Sequence, residues 1–385
     1  MTILFVTHNE GFYGANKSLV ALMCLLRDKF GIIPIVLMFR TGKLCDELEK
    51  QQIKYYVIHY YWWVRNQKTT VFEYFMSKRK QIKNIFLAKK MAEQLAGEQI
   101  DLVYSNSVCT DFGYLLAKRI RVPHIWHLRE SLTQFSLHFS LSEWLTKQIF
   151  LSQNNKRYIL ISDYMMKFYR KYLPVDRMQK IYNGINPPDY QRKDIIHSKL
   201  QVACVGVVSE NKNQLELLQA QALLHNKDVE IETWFVGVEN PPSYLRKCQS
   251  YACENGIENN VHFLGHKDNV FGFLQDMDLG VVAARDEAFG RTTIEFMMMQ
   301  MPVVVSQSGA NTELMQDGVH GFSYELGNVQ ALADRIETYV KNRDLILEHG
   351  TKAQKHAMTH FSAEQNAEKI YEQIQSVYNQ FYNKR

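Results

Sequence analysis

Residues 279–305 constrain the fold of this chain more than any other segment. An apolar run at 279–283 is followed by a glycine-containing turn, a helical pattern over about 290–299 and a second apolar run from Val303. Short apolar runs that alternate with helical patterns predict parallel strands joined by crossover helices. The turn at Gly290 is therefore expected at a helix N-terminus beside the carboxyl end of a strand, a position that attracts phosphate groups.

Two carboxylates, Glu287 and Glu295, flank this turn eight residues apart. Glu287 is expected in the loop after the strand, and Glu295 one to two turns into the helix, where it can face the same crevice. One carboxylate can then bind sugar hydroxyls while the other binds ribose hydroxyls. Alternatively, both acids simply complement the positive end of the helix, as they do in many α/β proteins.

The same alternation of strand and helix runs along the whole chain and predicts an α/β protein. Predicted strands lie at 2–7, 32–38, 55–58, 101–105, 123–127, 157–161, 201–208, 230–236, 261–264, 279–283 and 302–305, and predicted helices include 15–28, 79–96 and 109–120. The 385 residues suffice for two domains. A dense cluster of turn formers at 182–189 places the boundary near 185–198, so that the domains are expected to cover 1–190 and 191–361.

The segment 287–295 resembles the E-x7-E signature of retaining glycosyltransferases of family four, the glycosyl transferases group 1, which include bacterial surface-polysaccharide enzymes. Residues 306–314 and 317–321 also follow the family's pattern. The resemblance implies the GT-B fold, in which two Rossmann-like parallel-sheet domains face each other across a cleft. It further implies an N-terminal acceptor domain, a C-terminal nucleotide-sugar donor domain, and a C-terminal helix at 362–385 that packs back on the first domain.

In the second domain, the segment 205–213 resembles the family's G-R-x-x-x-x-K loop, whose cations neutralise the donor diphosphate. Lys212 matches the lysine, but Val207 occupies the place of the arginine. A charge-assisted contact is worth about 1.5–3 kcal/mol, so we expect another cation to substitute, with Arg291 as the best candidate. The resemblance implies catalytic roles for Glu287 and Arg291 and donor contacts from Lys212, His266, Phe289, Gly290 and Glu295.

In the first domain, the loop 11–19 has two glycines before a helix, a layout that brings backbone N–H groups to a phosphate. It resembles the family's first glycine loop and implies a donor contact at Gly14. A dehydrogenase would show G-x-G-x-x-G here, whereas this loop has only G-x-x-G. At the carboxyl end of the strand 123–127, His127 matches the family's histidine beside the donor sugar, which implies a catalytic role, and Arg129 is placed to meet an anionic acceptor.

Charge is unevenly distributed along the chain. Through Lys193 there are 29 basic and 15 acidic side chains, and beyond it 16 basic and 25 acidic ones. The basic first half suggests an anionic partner. The basic segment 77–90, with aromatic residues just upstream, would suit binding to a membrane surface. Alternatively, this segment is a solvated helix face beside aromatic residues of the core. No nucleic-acid motif accompanies the charge. Six scattered cysteines and an N-terminus without a basic leader favour a cytoplasmic protein, with peripheral attachment to the inner face of the membrane.

No metal or other cofactor is expected. Asp276-Met277-Asp278 spells the D-x-D that holds a divalent cation in the other large glycosyltransferase fold, but here it straddles a predicted helix-to-strand turn. The resemblance implies transfer of a sugar, most simply from a UDP-sugar, to the hydroxyl of a glycan or lipid-linked acceptor with retention of configuration. A nucleotide-sugar epimerase, a phosphorylase of the same fold and a non-catalytic nucleotide-sugar-binding scaffold remain alternatives.

Overall fold

The computed structural model describes residues 1–12, 14–66, 70–133, 136–193, 195 and 197–383. They form two compact units. Unit 1 comprises Met1–Gly184 together with the C-terminal segment from Ala363, and unit 2 comprises Ile185–Ser362. The division predicted from the sequence, at residue 190, lies six residues beyond this boundary.

Unit 1 is built on a parallel sheet. Its described strands are β1 (Thr2–Val6), β2 (Ile33–Met38), β3 (Lys54–Val57), β4 (Val64–Asn66), β5 (Leu102–Ser105), β6 (His124–Leu128), β7 (Leu137–Phe139), β8 (Asn155–Leu160) and β9 (Met178–Lys180). The main sheet has the order β3-β2-β1-β5-β6-β8-β9, while β4 and β7 form a separate antiparallel pair. Its central strands are buried on both faces, which explains their nearly continuous apolar sequences.

Helices cover both faces of this sheet, with a buried apolar cluster on each face. They are α1 (Gly14–Phe30), α2 (Lys43–Lys50), α3 (Val71–Gln94), α4 (Phe112–Ile120), α5 (Glu143–Leu151) and α6 (Asp163–Tyr169). The helix predicted at 79–96 begins eight residues earlier, at Val71. Thr70 and Glu73 form a capping box that satisfies the first free N–H groups, so the helix starts where the cap lies rather than where the basic run begins.

Unit 2 is a second parallel sheet with helices on both faces. Its strands are β10 (Leu200–Val205), β11 (Ile231–Val236), β12 (Val261–Phe263), β13 (Leu279–Val282), β14 (Val303–Ser306) and β15 (Gly321–Tyr324), in the order β12-β11-β10-β13-β14-β15. Its helices are α7 (Gln214–His225), α8 (Pro242–Glu254), α9 (Val270–Leu274), α10 (Arg291–Met298), α11 (Val329–Lys341) and α12 (Asp344–His360).

The last helix, α13 (Ala363–Tyr382), returns to unit 1, as the resemblance implied. It packs against α1, where the rings of Phe30 and Tyr371 stack with centroids 4.1 Å apart. Ile370, Ile374 and Val377 are fully buried in the cluster beneath it. This spacing of four and three residues turns one apolar stripe of the helix toward the sheet.

The order of strands reverses once in each main sheet. In unit 1 the reversal lies between β1 and β5, and in unit 2 between β10 and β13. Two loops diverge at such a reversal and leave a crevice at the carboxyl ends of the strands, where open α/β sheets bind ligands. The predicted α/β class is confirmed, whereas the strands β4, β7, β9 and β15 were not predicted.

Candidate functional site

Beside the crevice of unit 2, the loops that follow β10 and β11 approach each other closely. Gly206 follows β10 with φ +144°, and Gly237 follows β11 with φ +155°. A Cβ on Gly237 would lie 1.9 Å from the carbonyl oxygen of Gly206, so no larger residue fits without moving the chain. Beyond Gly206 the side chain of Val207 is 38% exposed, at the position where the family pattern has arginine.

Lys212 and Glu287 meet across this crevice. Lys212 lies in the turn before α7, Glu287 lies five residues beyond β13, and Lys212 Nζ donates a hydrogen bond to Glu287 Oε2. Both side chains are mostly buried, with 22% of Lys212 and 11% of Glu287 exposed. The sequence predicted that each lies in the donor site; it did not predict that they form an ion pair with each other.

Further hydrogen bonds tie the two loops together. The Arg285 amide donates to the Asn211 carbonyl at 2.7 Å, Asn211 Nδ2 donates to the Asp286 carbonyl at 3.1 Å, and Arg285 Nη2 donates to Asn213 Oδ1 at 3.1 Å. Sequence reasoning missed Arg285, although its place two residues before Glu287 and three after a buried strand was a usable signal. It adds a cation to the crevice beside Lys212.

Glu287 rests on the loop that follows β14. The Ala310 amide donates to the Glu287 carbonyl at 2.7 Å. Gly309 has φ +54°, and a Cβ there would lie 2.3 Å from the Glu287 carbonyl oxygen. Glycine is therefore required at position 309, because a larger residue would keep this loop from reaching the backbone of Glu287. This explains part of the family-like sequence at 306–314.

The turn before α10 also requires glycine. Gly290 is the N-cap of α10 with φ +93° and ψ 46°, and a Cβ there would lie 2.7 Å from Leu314 Cδ1. The preceding Phe289 is buried, with its ring centroid 6.3 Å from that of Phe361. The helix N-terminus is thus fixed beside the crevice, where its free N–H groups favour an anion.

Arg291 and Glu295 form an ion pair on the first turns of α10. Arg291 Nε donates to Glu295 Oε1 at 2.7 Å, with 29% and 15% of the two side chains exposed. This i,i+4 pair orients the guanidinium of the residue expected to replace the arginine missing at Val207. Its contact with the diphosphate stays a prediction.

His266 lies three residues beyond the edge strand β12, and the resemblance implied that it contacts the donor. Gly265 before it has φ +65°, and the Gly237 amide donates to the Gly265 carbonyl at 2.9 Å. His266 Nε2 lies 3.2 Å from Asp268 Oδ1 on the surface. The shared glycine contact places this segment next to the loop after β11.

In unit 1 the loop after β1 is organised by Asn16 rather than by its glycines. The buried Asn16 Nδ2 contacts the Gly11 carbonyl at 2.6 Å and Asn9 Oδ1 at 2.6 Å, while Thr7 Oγ1 donates to Asn16 Oδ1 at 2.6 Å. Gly14 is the first residue of α1, and a Cβ there would meet nothing within 4 Å. The loop conformation therefore does not require glycine at position 14. Tyr13, within the predicted glycine loop, lies outside the described residues.

His127 is fully buried near the end of β6. Its Nδ1 lies 2.6 Å from the Tyr104 hydroxyl, and among the described residues its Nε2 has no hydrogen-bond partner. Burial, reinforced by the charge of Arg129, holds the pKa of His127 well below its ordinary value of 6.5. The imidazole is therefore neutral near pH 7, and one of its nitrogens has no hydrogen-bond partner among the described residues.

Arg129, one residue beyond β6, is held from two sides. Its Nε donates to Asn106 Oδ1 at 2.7 Å, and its Nη1 donates to Asn183 Oδ1. The neighbouring Glu130 accepts hydrogen bonds from Ser107 Oγ at 3.1 Å and from the Val108 amide at 3.2 Å, and its Oε1 lies 3.7 Å from His8 Nε2. Asn106 and His8 were missed from the sequence, since isolated polar residues after strands carry no motif.

The two acids of the D-x-D segment contact different cations. Asp276 Oδ1 lies 2.9 Å from Lys193 Nζ, whereas the buried Asp278 accepts from the Gln201 amide at 2.9 Å and lies 3.6 Å from Arg343. Within the described ranges no cluster of three or more His, Cys, Asp or Glu side chains has the arrangement of a metal site. The expectation of a metal-independent protein stays a prediction.

The described helices also include none with the length and apolar character needed to span a bilayer.

Comparison with known proteins identifies the family. A family model described as glycosyl transferases group 1 matches residues 199–342, and one described as glycosyltransferase family 4 matches residues 39–188. The chain is similar to N-acetyl-alpha-D-glucosaminyl L-malate synthase of Bacillus anthracis, with 22% identity over 310 residues that cover 77% of this chain and 78% of that protein. It is also similar to the capsular polysaccharide biosynthesis glycosyltransferase CapM of Staphylococcus aureus, with 23% identity over 188 residues, or 49% and 48% of the two chains.

Among solved structures, HepE of Anabaena in complex with UDP superposes with a TM-score of 0.81 at 21% identity, covering 98% of this chain and 100% of that one. This likeness concerns the fold. Taken with the two family models, which match consecutive parts of both units, it confirms the resemblance drawn from 287–295: the chain belongs to the glycosyltransferases of group 1 and family four and has the GT-B fold.

Proposed function

We propose that this glycosyltransferase transfers a sugar from a UDP-sugar to the hydroxyl of a lipid-linked glycan in the synthesis of a surface polysaccharide. The observation that carries the proposal is the Lys212–Glu287 pair at the strand reversal of unit 2, beside the N-terminus of α10. A diphosphate and a sugar need a cation, backbone N–H groups and a carboxylate for hydroxyls, and these are the groups found there.

Similar proteins support UDP as the nucleotide and a polysaccharide precursor as the acceptor. HepE of Anabaena has been solved with UDP and with UDP-glucose, and CapM acts in capsular polysaccharide biosynthesis. Unit 1 carries Arg129, positioned by Asn106 and Asn183, which suits an anionic acceptor such as a phosphate-linked lipid. These observations support the proposed substrates.

In the proposed reaction, the acceptor oxygen forms a bond to the anomeric carbon while the bond from that carbon to the diphosphate oxygen breaks. The departing diphosphate oxygen takes the acceptor's proton on the same face of the sugar, so configuration is retained. Glu287 binds sugar hydroxyls, His127 donates or accepts a hydrogen bond at the sugar as a neutral imidazole, and the cations stabilise the leaving group.

We propose that no metal is required, because Lys212, Arg285 and Arg291 supply positive charge around the crevice together with the N-terminus of α10. Turnover in EDTA should equal turnover with magnesium. Activity that depends on added divalent cation would contradict this part of the proposal.

A thermal-shift series with UDP, GDP, ADP and CDP, followed by the sugar conjugates of the preferred base, tests the donor. We expect UDP to raise the melting temperature most. Proton NMR of the product then reads the anomeric configuration, with retention expected. Preference for another base, or an inverted product, would contradict the proposed donor or the proposed stereochemistry respectively.

A further inference from the structure

The helix α3 packs on unit 1 through an unusually polar stripe. The buried residues recur every three or four positions along the helix: Ser77, Gln81, Asn84, Ala88, Met91 and Leu95. In the first half of the stripe, Gln81 Nε2 donates to the Trp62 carbonyl at 2.9 Å and Asn84 exchanges two 2.9 Å hydrogen bonds with the backbone of Tyr61. Polar contacts therefore hold this half of the helix to the domain.

The opposite side of α3, which we call the outer face, is apolar. It carries Phe72, Phe75, Ile82, Ile85 and Phe86, whose side chains are 73%, 61%, 56%, 58% and 69% exposed. At about 100° per residue these positions centre about 150° around the helix from the buried stripe. The usual polarity of a surface helix is thus inverted here, because the large apolar side chains point away from the core.

Cations lie among and beside these apolar side chains. The exposed basic residues of α3 are Lys78, Arg79, Lys80, Lys83, Lys89 and Lys90, whereas its acids are Glu73, held in the N-terminal cap, and Glu93 in the last turns. At 100° per residue Arg79 falls between Phe75 and Phe72 on the outer face. The face therefore combines aromatic and aliphatic groups with net positive charge.

We propose that the outer face of α3 docks unit 1 onto an anionic lipid surface. Phenylalanine and isoleucine side chains would enter the boundary between headgroups and acyl chains while the lysines contact anionic headgroups. A second copy of this chain is a poorer occupant, since it would bring one set of cations against another. The inference extends the proposed function by stating how the protein reaches a lipid-linked acceptor, but its test does not depend on turnover.

Vesicle flotation tests the proposal, with phosphatidylcholine vesicles that contain or lack phosphatidylglycerol. The full-length protein should float with the anionic vesicles, much less with the neutral ones, and less again as salt is raised. Phe72→Ser combined with Phe75→Ser and Phe86→Ser should lower the partition coefficient at least tenfold. Lys78→Gln combined with Arg79→Gln and Lys83→Gln should lower it by about fivefold for each charge removed.

Matched variants elsewhere on unit 1 are the controls. Lys118→Gln with Arg119→Gln removes charge from the exposed end of α4, and Ile33→Ser removes an apolar side chain that is 58% exposed. Both should float as the unchanged protein does. Equal loss in the controls, equal binding to neutral vesicles, or no binding by the unchanged protein would overturn the proposal. So would dimers, seen by light scattering, that disappear in the phenylalanine variant.

Turnover on a water-soluble acceptor separates this inference from the proposed function. The outer-face variants should retain it, because the face is remote in sequence from every residue assigned to the donor or acceptor. If transfer fails while flotation behaves as expected, the docking surface stands and the proposed reaction does not. If transfer persists while flotation fails, the proposed reaction stands and the docking surface does not.

Discussion

Lys212 Nζ donates to Glu287 Oε2 across the strand reversal of unit 2, joining residues 75 positions apart in the chain. The pair links the loop after β10 to the loop after β13. Each side chain is assigned to a different part of the donor, the lysine to the diphosphate and the carboxylate to the sugar. In the free protein the pair neutralises two mostly buried charges and holds both side chains in the crevice before a ligand enters.

Replacing Lys212 tests its role with the diphosphate. Lys212→Met keeps the length of the side chain but removes the charge, and should weaken UDP binding by about 10- to 100-fold, the equivalent of one charge-assisted hydrogen bond. Isothermal titration calorimetry measures this. Lys247→Met, at an exposed lysine of the same unit that faces Glu210, should leave the affinity unchanged. A similar loss in both variants would point to unit 2 as a whole rather than to the site.

The Arg291–Glu295 pair should matter for binding more than for stability. Glu295→Gln removes the charge that orients the guanidinium and should lower the affinity for the nucleotide sugar by about tenfold, the effect of one hydrogen bond to a charged group. Glu348→Gln breaks the comparable i,i+4 pair with Lys352, whose Nζ lies 2.7 Å from Glu348 Oε1. That control should change the free energy of unfolding by less than about 0.5 kcal/mol and the affinity not at all. Full affinity and turnover in Glu295→Gln would remove Glu295 from the site.

Two glycines are expected to respond differently to alanine. Gly290→Ala forces a left-handed conformation on alanine and pushes a methyl group toward Leu314, so it should destabilise the protein by about 1–3 kcal/mol. Gly14→Ala has free space and should change the free energy of unfolding by no more than about 1 kcal/mol. Chemical denaturation compares them. Because stability is spared in Gly14→Ala, any loss of donor affinity there would report a genuine approach of the ligand to this backbone.

Buried His124 should contribute less to the stability of unit 1 in mild acid than at neutral pH. His124 is fully buried between Ser105 Oγ and Asn155 Oδ1, and burial lowers its pKa from 6.5 to about 4. Between these pH values the unfolded chain binds a proton that the folded one does not, so stability rises with pH. The contribution is complete above about pH 6.5 and falls by about 3 kcal/mol as the pH drops to 4.

Urea titrations from pH 7 to pH 4, followed by tryptophan fluorescence, measure this dependence, since four of the five tryptophans lie in unit 1. His124→Gln should make the dependence of stability on pH less positive. Burial also lowers the pKa of His8 and of His127, which adds to this dependence, and raises the pKa of Asp111 to about 7, which opposes it. An unchanged slope in that variant would show that His124 titrates normally in the folded protein.

Local pattern was sufficient for most of the fold. The buried strands β1, β2, β10, β13 and β14 are short apolar runs bounded by turns, and a parallel sheet covered on both faces demands such runs. The turn glycine at 290 was recognisable for a related reason, since tight turns select glycine whatever the distant context, whereas the close backbone contact at Gly309 was found only in the structure. These features can be predicted from the sequence because they depend on residues that are close together in the chain.

The sequence by itself therefore determined the α/β class, the helix N-terminus at Gly290 and the residue types around it. Tertiary structure alone decided that Lys212 pairs with Glu287, that Arg285 joins the same crevice, that Asn16 shapes the first loop, and that the aromatic residues of α3 face outward. The physical reason is that the local sequence is compatible with several long-range contacts, and the packing of distant segments determines which of them forms. Both sides of α3 carry residues at a helical spacing, so the spacing alone does not say which side is buried. Only the fold determines that.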